Sequence, residues 1–561
     1  MGAFHLAKPG RQEMPGAERF LSSTEVASTA IILAGGLGTR VSAKADEPKA
    51  MIDIAGTPAI VRIIATIVAA GIDEIYVVTS EAGSDPISRL IGRAFGDLIS
   101  LHIVVQPVPH GPGHALMLGL GAAEERAAQV LVVLCDTLFS ALPRIGDDWV
   151  GVARMPASAA WCWVRRSGTD VTGFYDKVIP PADADAVLVG VYHISHPAAL
   201  REILECRSPD QSPTGEVEIS QGLAEYSLRY PMRAFQIDTW LDCGTAASAD
   251  AARRRLIRHR AFNRLDWGSG QWVTKCGPPD EIDREARWLA AAQDFAGKLV
   301  PAVRNIDHGK YQIEKISLPL LASGFLYYWN SEEFLRVFAR LIGEIDAALW
   351  SKPIPGRERP AVGELFHEMY VTKTELRLAG WARWERFCET GVVVNDTEIA
   401  DPRSLVRNML MSAAAPARAE LSIMHGDLHF GNIFASLDSA DIKLIDPRGS
   451  FGSAVGIAGD KYYDLAKLRH SYHGLYDAIV HDLFQVSADG NRIELRLGFG
   501  DDDVRRECDA ILAGAGFDLT RVRLAESAVM LSLIPLHREA PSRQLAFFAR
   551  AVLNAAEIAA S

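Results

Sequence analysis

Short apolar runs alternate with helix-patterned segments through the first part of the chain. TAIILAGG (29–36) reads as a buried strand running into glycines, and PAIVRIIATIVAAG (58–71) keeps helical periodicity up to a glycine stop. EIYVVTS (74–80), LHIVVQ (101–106) and AQVLVVLCD (128–136) are further strands. Near-continuous apolar strands separated by helices predict a mainly parallel sheet covered on both faces, a doubly wound (Rossmann-like) α/β domain. Such sheets bind ligands beyond the carboxyl ends of their strands.

The pattern changes near residue 245. AASADAARRRLIRHRAFNRL (246–265) is helix-prone and basic, and predicts a closing helix that leads into a second domain. A short apolar stretch, GQWVTKCG (270–277), precedes a Pro-Pro turn and the strong helix pattern DEIDREARWLAAAQDFAGKL (280–299). The remainder reads as mostly helical, apart from the strand-like AELSIMHGD (419–427) and DIKLIDPRG (441–449). The expected division is an arm over 1–27, flexible and without an apolar signal segment, then domains over 28–250 and 251–561.

Length and composition agree with this division. A chain of 561 residues exceeds one ordinary core and predicts two to four domains. Hydrophobic residues make up 48% and charged residues 23%, a globular balance. A formal net charge of −12 argues against a partner such as nucleic acid or an anionic membrane, although a nucleotide needs only a few local donors. Seven cysteines with no CxxC pair point away from a disulfide framework or structural zinc. No apolar run is long enough to span a bilayer, and the expected location is the cytoplasm.

Two constellations carry candidate chemistry. In the first, ILAGGLGTR (32–40) places Gly35, Gly36 and Gly38 between a strand and a helix pattern. Glycines there let backbone N–H groups approach an anion, and Arg40 and Lys49 add positive charge. Taken alone, this is equally an ordinary tight turn. Asp136 ends the apolar run VLVVLCD, where it is either a metal-binding carboxylate or a helix N-cap. Asp242, in DTWLDCGT, is a second carboxylate able to share one metal. LAGGLGTR with PKAM, the strand-end Asp136 and WLDCGT resemble the nucleotidyltransferase family that activates sugar 1-phosphates and phosphocholine, over roughly residues 28–250. The resemblance implies a triphosphate held by the loop from Leu33 to Thr39 with Arg40 and Lys49, and Mg²⁺ on Asp136 and Asp242. Cys135 stands where the family often has Gly or Asn. Gln106 and GPGHAL, with Gly113, resemble the base-side loop. GFYDKV supplies Lys177 for the substrate phosphate, and GEVEIS supplies Glu216 and Glu218 for the acceptor pocket. These three segments are less specific than the others.

The second constellation is IMHGDLHFGNIF (423–434) followed by LIDPRG (444–449). Asp427, with Asn432 five residues on and Asp446 after a strand, can divide the work of phosphoryl transfer between an acid that orients a hydroxyl and two metal ligands. HGDLHFGN with IDPRG resembles the aminoglycoside phosphotransferase and choline kinase superfamily, over roughly residues 262–555. That likeness implies a bilobal α+β, protein-kinase-like domain with Asp427 as base, and Asn432 and Asp446 on Mg²⁺. It further implies an N-lobe Lys275 paired with Glu285 at the ATP phosphates. The glycine loop is degenerate, since DWGSGQ keeps only Gly268 and Gly270. His425 and His429 read as structural, and KISLPLL (315–321) as the interlobe connection. GDKYYDLAKLRHSYHGLYD (459–477) is either part of an acceptor pocket, with Asp460, Asp464 and His470, or a solvated amphipathic helix.

Together the two resemblances imply a bifunctional enzyme. ATP phosphorylates a small sugar or alcohol, and a second NTP (CTP, UTP or GTP) converts that phosphate into an activated donor for surface polysaccharide. The alternatives are a nucleotidyltransferase carrying an inactive kinase-like binding module, and a nonenzymatic scaffold. Both families often form dimers, which leaves a homodimer open.

Overall fold

The computed structural model describes residues 27–36, 48–124, 126–143, 146–209, 215–256, 264–267, 270–354, 362–416, 420–500 and 502–560. The N-terminal arm thus lies outside the described residues up to 26, and Ala27 is already buried in the core. The predicted strands form as β1 (Thr29–Leu33), β2 (Glu74–Ser80), β3 (Ser100–Gln106) and β4 (Val130–Leu134). They pair in parallel in the order β3-β2-β1-β4. Alternation decides which face each side chain serves. Ala30 and Ile32 pack against helices α1 (Ala59–Ala69) and α2 (Glu81–Phe95). Ile31 and Leu33 face α3 (Pro112–Ala123), α4 (Pro197–Glu205) and α5 (Ile219–Tyr226). Ile31 and Ile32 are fully buried, which is worth about 1.5–3 kcal/mol for each such side chain.

The sheet is mixed rather than mainly parallel. Five more strands join it: β5 (Trp149–Ala153), β6 (Cys162–Ser167), β7 (Asp170–Asp176), β8 (Ala184–Ile194) and β9 (Arg233–Gln236). The nine-stranded order is β3-β2-β1-β4-β8-β5-β9-β7-β6. The reason is β8, which returns antiparallel to both β4 and β5. Its register breaks between Leu188 and Tyr192, and its first half pairs with β6. Gly190 makes that bend with φ +84°, where a Cβ would meet Leu134 at 2.8 Å and Thr137 Oγ1 at 2.9 Å. Helix α6 (Ala246–Leu256) runs through the expected boundary at 250. It stays on the N-terminal side, burying Ala249 and Ala252 and donating from Arg253 Nε to the Asp53 carbonyl at 2.8 Å.

The second part opens with a four-stranded antiparallel sheet. Its strands are β10 (Arg264–Trp267), β11 (Trp272–Cys276), β12 (Val303–Asp307) and β13 (Lys310–Glu314), in the order β10-β11-β13-β12. Arg264 and Leu265 are therefore strand, not the end of the basic helix. Helix α7 (Pro279–Ala296) starts with Pro at its first position and Asp280 and Glu281 in its first turn, both favourable at a helix N-terminus. It buries Ile282, Ala286 and Leu289. The helical remainder contains a hairpin absent from the sequence reading, Phe484–Asp489 against Arg492–Leu497. Its signal was present, as FQVSADGNRIELRL alternates around a Gly-Asn turn.

The two parts touch directly. Arg93 donates to the Phe325 carbonyl at 2.8 Å, and Ser323 Oγ donates to the Gly56 carbonyl at 2.8 Å. The Gly96 and Gly498 backbones are so close that a Cβ on Gly96 would lie 2.5 Å from the Gly498 carbonyl oxygen. Among the described residues no helix is long and apolar enough to cross a membrane.

Candidate active sites

The first site gathers at the carboxyl ends of β1 and β4. Gly35 and Gly36 leave β1 toward the surface, whereas Gly38, Thr39 and Arg40 lie outside the described residues. Leu33 is core: its side chain is 6% exposed and its carbonyl accepts from the Cys135 N–H, so its side chain takes no part in holding a ligand. The Lys49 N–H donates to the Gly36 carbonyl at 3.2 Å, which brings the Lys49 ammonium to 2.5 Å from Asp136 Oδ2.

A two-residue ladder explains how distant carboxylates meet. Leu241 and Asp242 pair with Leu138 and Thr137, and the Cys243 N–H donates to the Asp136 carbonyl at 2.8 Å. Gly244 sits between the two acids, and a Cβ there would lie 3.0 Å from Asp242 Oδ1 and 3.4 Å from Asp136 Oδ2. Burial, and then the neighbouring Asp136 charge, raise the Asp242 carboxyl above its ordinary value. Burial pulls the Lys49 ammonium down, but Asp136 leads a group of anions that outweighs it and holds the lysine above its ordinary value. Among the described residues no three His, Cys, Asp or Glu side chains gather as a metal cage. Two half-buried carboxylates, Asp136 and Asp242, suit Mg²⁺, which takes one or two together with substrate phosphates.

The less specific segments also converge. Gln106 donates to the Gly111 carbonyl at 3.2 Å, and its Oε1 is 2.9 Å from where a Gly35 Cβ would be. Gly111 has φ +95°, and a Cβ on it would meet Glu216 Cβ at 2.7 Å and the Val217 N at 2.9 Å. The Gly113 N–H donates to the Val217 carbonyl at 2.7 Å. Only glycine allows this approach, which locks the 111–113 loop onto the 215–218 segment. The Lys177 ammonium donates to Glu218, and Ser220 Oγ donates to Asp176 at 2.6 Å. Lys177, at φ +54°, is exposed, as is Glu216. Trp161 and Trp240 meet edge to face at 5.4 Å two residues before Asp242, a pair that the sequence reading missed.

The second site is built by side chains from β11, α7 and two loops. Lys275, 4% exposed, donates to both Glu285 oxygens at 2.7 and 2.8 Å and to Asp446 Oδ1 at 2.8 Å. Tyr311 also donates to Glu285. Burial, and then Asp446, push the Glu285 carboxyl up to about 7. Burial draws Lys275 down, but Asp446 and Glu285 outweigh it. Asn432 donates from its amide to the Asp427 carbonyl at 2.8 Å and to Asp427 Oδ2 at 3.2 Å, leaving its own Oδ1 for another partner. Asp446 adopts φ +58°, a conformation that a non-glycine residue seldom takes. Burial pushes the His425 imidazole down to about 4, so it is neutral, and its Nδ1 accepts from the Asp427 N–H at 3.3 Å.

One expectation needs correction. Asp464 is fully buried behind the loop, where it accepts from the His425 N–H at 2.8 Å, the Gly426 N–H at 2.7 Å and Trp350 Nε1 at 3.1 Å. It braces the loop and does not line an acceptor pocket. Asp460 and His470 are buried as well, and every residue from Tyr462 to Tyr472 is buried, so the helix Lys461–Tyr472 is no solvated amphipathic surface. The same helix delivers a residue the sequence reading missed: Lys467 Nζ lies 3.0 Å from Asp427 Oδ1. Nothing along the chain marks Lys467 as its partner, because the contact depends on how the helix docks.

Residues 30–208 match the MobA-like NTP transferase domain. The chain is 28% identical over 315 residues to a glucose-1-phosphate thymidylyltransferase of Actinoplanes sp., covering 53% of this chain and 91% of that protein. It is 26% identical over 244 residues to the UTP–glucose-1-phosphate uridylyltransferase AglF of Haloferax volcanii, covering 40% and 96%. Among solved structures it is similar to a UTP-bound UGPase from Acinetobacter baumannii, at 21% identity and a TM-score of 0.36, over 41% of this chain and 93% of that one. A UDP-glucose pyrophosphorylase complexed with UDP-glucose is similar at 18% identity and a TM-score of 0.36, over 41% and 98%. The N-terminal part of this chain is a nucleotidyltransferase domain of the MobA-like kind.

Proposed function

We propose that the chain is a bifunctional enzyme that makes a nucleotide-activated sugar or alcohol in two steps. The C-terminal site transfers the γ-phosphoryl group of ATP to an acceptor hydroxyl. The N-terminal site then joins the resulting phosphate to an NTP and releases pyrophosphate, as the names of the curated relatives suggest for a sugar 1-phosphate. The observation that carries the kinase half is the closed ion group of Lys275, Glu285 and Asp446, with Asp427 and Asn432 in mutual contact. A kinase requires this combination: a lysine fixed by a helix acid, a metal acid, and a base with a spaced amide.

In the N-terminal site little proton chemistry is needed. The incoming phosphate oxygen attacks the α-phosphorus, and the bond to the leaving pyrophosphate breaks. Lys49 screens the repulsion between two anions held in line. In the C-terminal site Asp427 takes the acceptor proton, and Lys467 fixes its orientation. Mg²⁺, held by Asp136 with Asp242 and by Asn432 with Asp446, would neutralise phosphate charge at each site.

The test uses the full-length chain with ATP, an NTP, Mg²⁺ and a panel of sugars and polyols, following ADP and pyrophosphate separately. Asp427→Asn is expected to abolish ADP formation and to leave pyrophosphate release from a supplied sugar 1-phosphate. Asp136→Asn is expected to do the reverse. Unchanged ADP formation in Asp427→Asn would remove the kinase assignment and leave an N-terminal nucleotidyltransferase with a kinase-like binding module.

A further inference from the structure

One helical turn from Lys467, the partner of Asp427, Tyr463 gathers cations that the reaction above does not use. Lys373 Nζ donates to the Tyr463 hydroxyl at 3.0 Å and sits 5.0 Å from the centre of its ring. Arg448 Nη1 lies 3.5 Å from the same hydroxyl. Arg377, one helical turn after Lys373, donates to the Ser532 carbonyl at 2.9 Å. Tyr463 and Lys467 are one turn apart on the helix Lys461–Tyr472, so the group reaches Asp427 through Lys467. Among the described residues, Lys373, Arg377 and Arg448 pair with no carboxylate. The nearby acids are committed elsewhere: Asp460 to Tyr370 and Arg521, Asp464 to the loop N–H groups, and Glu368 to Ser453.

Lys373, Arg377 and Arg448 are each half-buried, and cations partly withdrawn from water are ordinarily paired, because leaving one unpaired is costly. Here Lys373 and Arg448 converge on one phenol, with Arg377 one helical turn from Lys373. Burial lowers the Lys373 ammonium to about 8, with Arg448 and Arg377 adding to the effect. Burial raises the Tyr463 hydroxyl, yet Lys373, Lys467 and Arg448 outweigh it and hold it at about 7. This is the environment of an anion site. It is distinct from the cation at the nucleotide phosphates, since Lys275 is tied to Glu285 and Asp446, whereas this group is tied to the base.

We infer that the phosphoryl acceptor is an anionic molecule, carrying a carboxylate or phosphate that Lys373 and Arg448 hold, with Arg377 behind them, while its hydroxyl meets Asp427. The inference rests on the kinase reading. The acceptor oxygen forms a bond to the γ-phosphorus of ATP, and the bond from that phosphorus to the β,γ-bridging oxygen breaks. ADP leaves with the electron pair, and the hydroxyl proton passes to Asp427. Cationic acceptors, which need acids in this position, are disfavoured.

The experiment measures ADP formation by the full-length chain with ATP and Mg²⁺ on matched acceptors. Glucuronate against glucose and glycerate against glycerol test a carboxylate. Glucose 6-phosphate against glucose tests a phosphate, and glucosamine and choline test a cation. At least one anionic acceptor is expected to exceed its neutral partner by tenfold or more in kcat/KM. That preference is expected to fall at least tenfold in Lys373→Gln and in Arg448→Gln, each checked for folding by its Tm, with the KM for ATP within twofold of the parent. Preference for neutral or cationic acceptors, or an anion preference that survives both substitutions, overturns the inference and leaves the kinase reading standing. ADP formation with none of the acceptors overturns the kinase reading and the inference with it.

Discussion

Asp464→Asn separates two roles for one buried carboxylate. In the structure its two oxygens accept three N–H bonds, at 2.8, 2.7 and 3.1 Å, from His425, Gly426 and Trp350. The amide keeps the shape but turns one acceptor oxygen into a donor, so at least one loop N–H loses its partner and faces another N–H. For the ionised carboxylate, present above about pH 7, a hydrogen bond to a charged group contributes about 1.5–3 kcal/mol, and the orphaned donor adds its desolvation, so the loss there is roughly 2–4 kcal/mol. For a domain of about 310 residues that is a fall in Tm of roughly 3–6 °C. Asp427 lies on the same loop, and misplacing it by about 1 Å costs roughly 100-fold in rate. The assay is a urea or thermal melt together with steady-state ADP formation. Lower Tm and kcat with an unchanged acceptor KM is the expected result. A raised acceptor KM with unaltered Tm would refute the bracing role and return Asp464 to the acceptor pocket. The pH dependence supplies a second readout. Burial pushes the Asp464 carboxyl up to about 7, above its value of 3.8 in the unfolded chain. Between those values the folded state holds a proton that the unfolded state has lost, so stability falls as pH rises from about 4 through 7. Asp464→Asn removes that part of the profile.

Other substitutions test other joints. Gly244→Ala places a methyl group 3.0 Å from Asp242 Oδ1 and 3.4 Å from Asp136 Oδ2. It is expected to raise the Mg²⁺ concentration for half-maximal pyrophosphate release by tenfold or more, with ADP formation untouched. Lys275→Met leaves Glu285 and Asp446 facing each other without their cation, and breaking a buried pair in this way costs about 3–5 kcal/mol. Chemical denaturation should show that loss, and ADP formation should disappear. Gly96→Val drives a side chain into the Gly498 carbonyl, 2.5 Å from the Cβ position. Limited proteolysis should then cut between the two parts faster than in the parent, while an unchanged cleavage rate would mean that the contact contributes nothing to their association. Glu526, fully buried with Arg469 and His473, is held down to about 2 although burial opposes it. Its contribution is therefore present above about 4.5 and lost as pH falls toward 2, which Glu526→Gln should abolish in an acid melt.

The parallel half of the N-terminal sheet was legible because strands buried on both faces are nearly continuous apolar runs, as in AIIL and VLVVL. The antiparallel half was not. Its strands, such as CWVRRS and DVTGFYD, mix polar with apolar positions, and only the pairing of DVTGFYD with CWVRRS, and of CWVRRS with β8, makes them a sheet. The hairpin at 484–497 carried its own signal, but the surrounding helix patterns masked it.

The sequence by itself determined which residues stand within one turn of each other. The five-residue interval of Asp427 and Asn432 and the glycines after β1 are local spacings, set by covalent geometry. It also singled out Lys275 with Glu285, and Asp136 with Asp242, as types of residue that need partners. The tertiary structure decided what each would meet. Asp242 reaches Asp136 because a two-residue ladder joins 137–138 to 241–242. Asp464 turns inward and Lys467 turns to Asp427 because the Lys461–Tyr472 helix is enclosed on every side, so no pattern of polar and apolar positions marks its faces. Lys373, Arg448 and Tyr463 meet only where three separate segments pack. Local spacing is covalent and survives in the bare chain, whereas a charge finds its partner only when burial withdraws it from water.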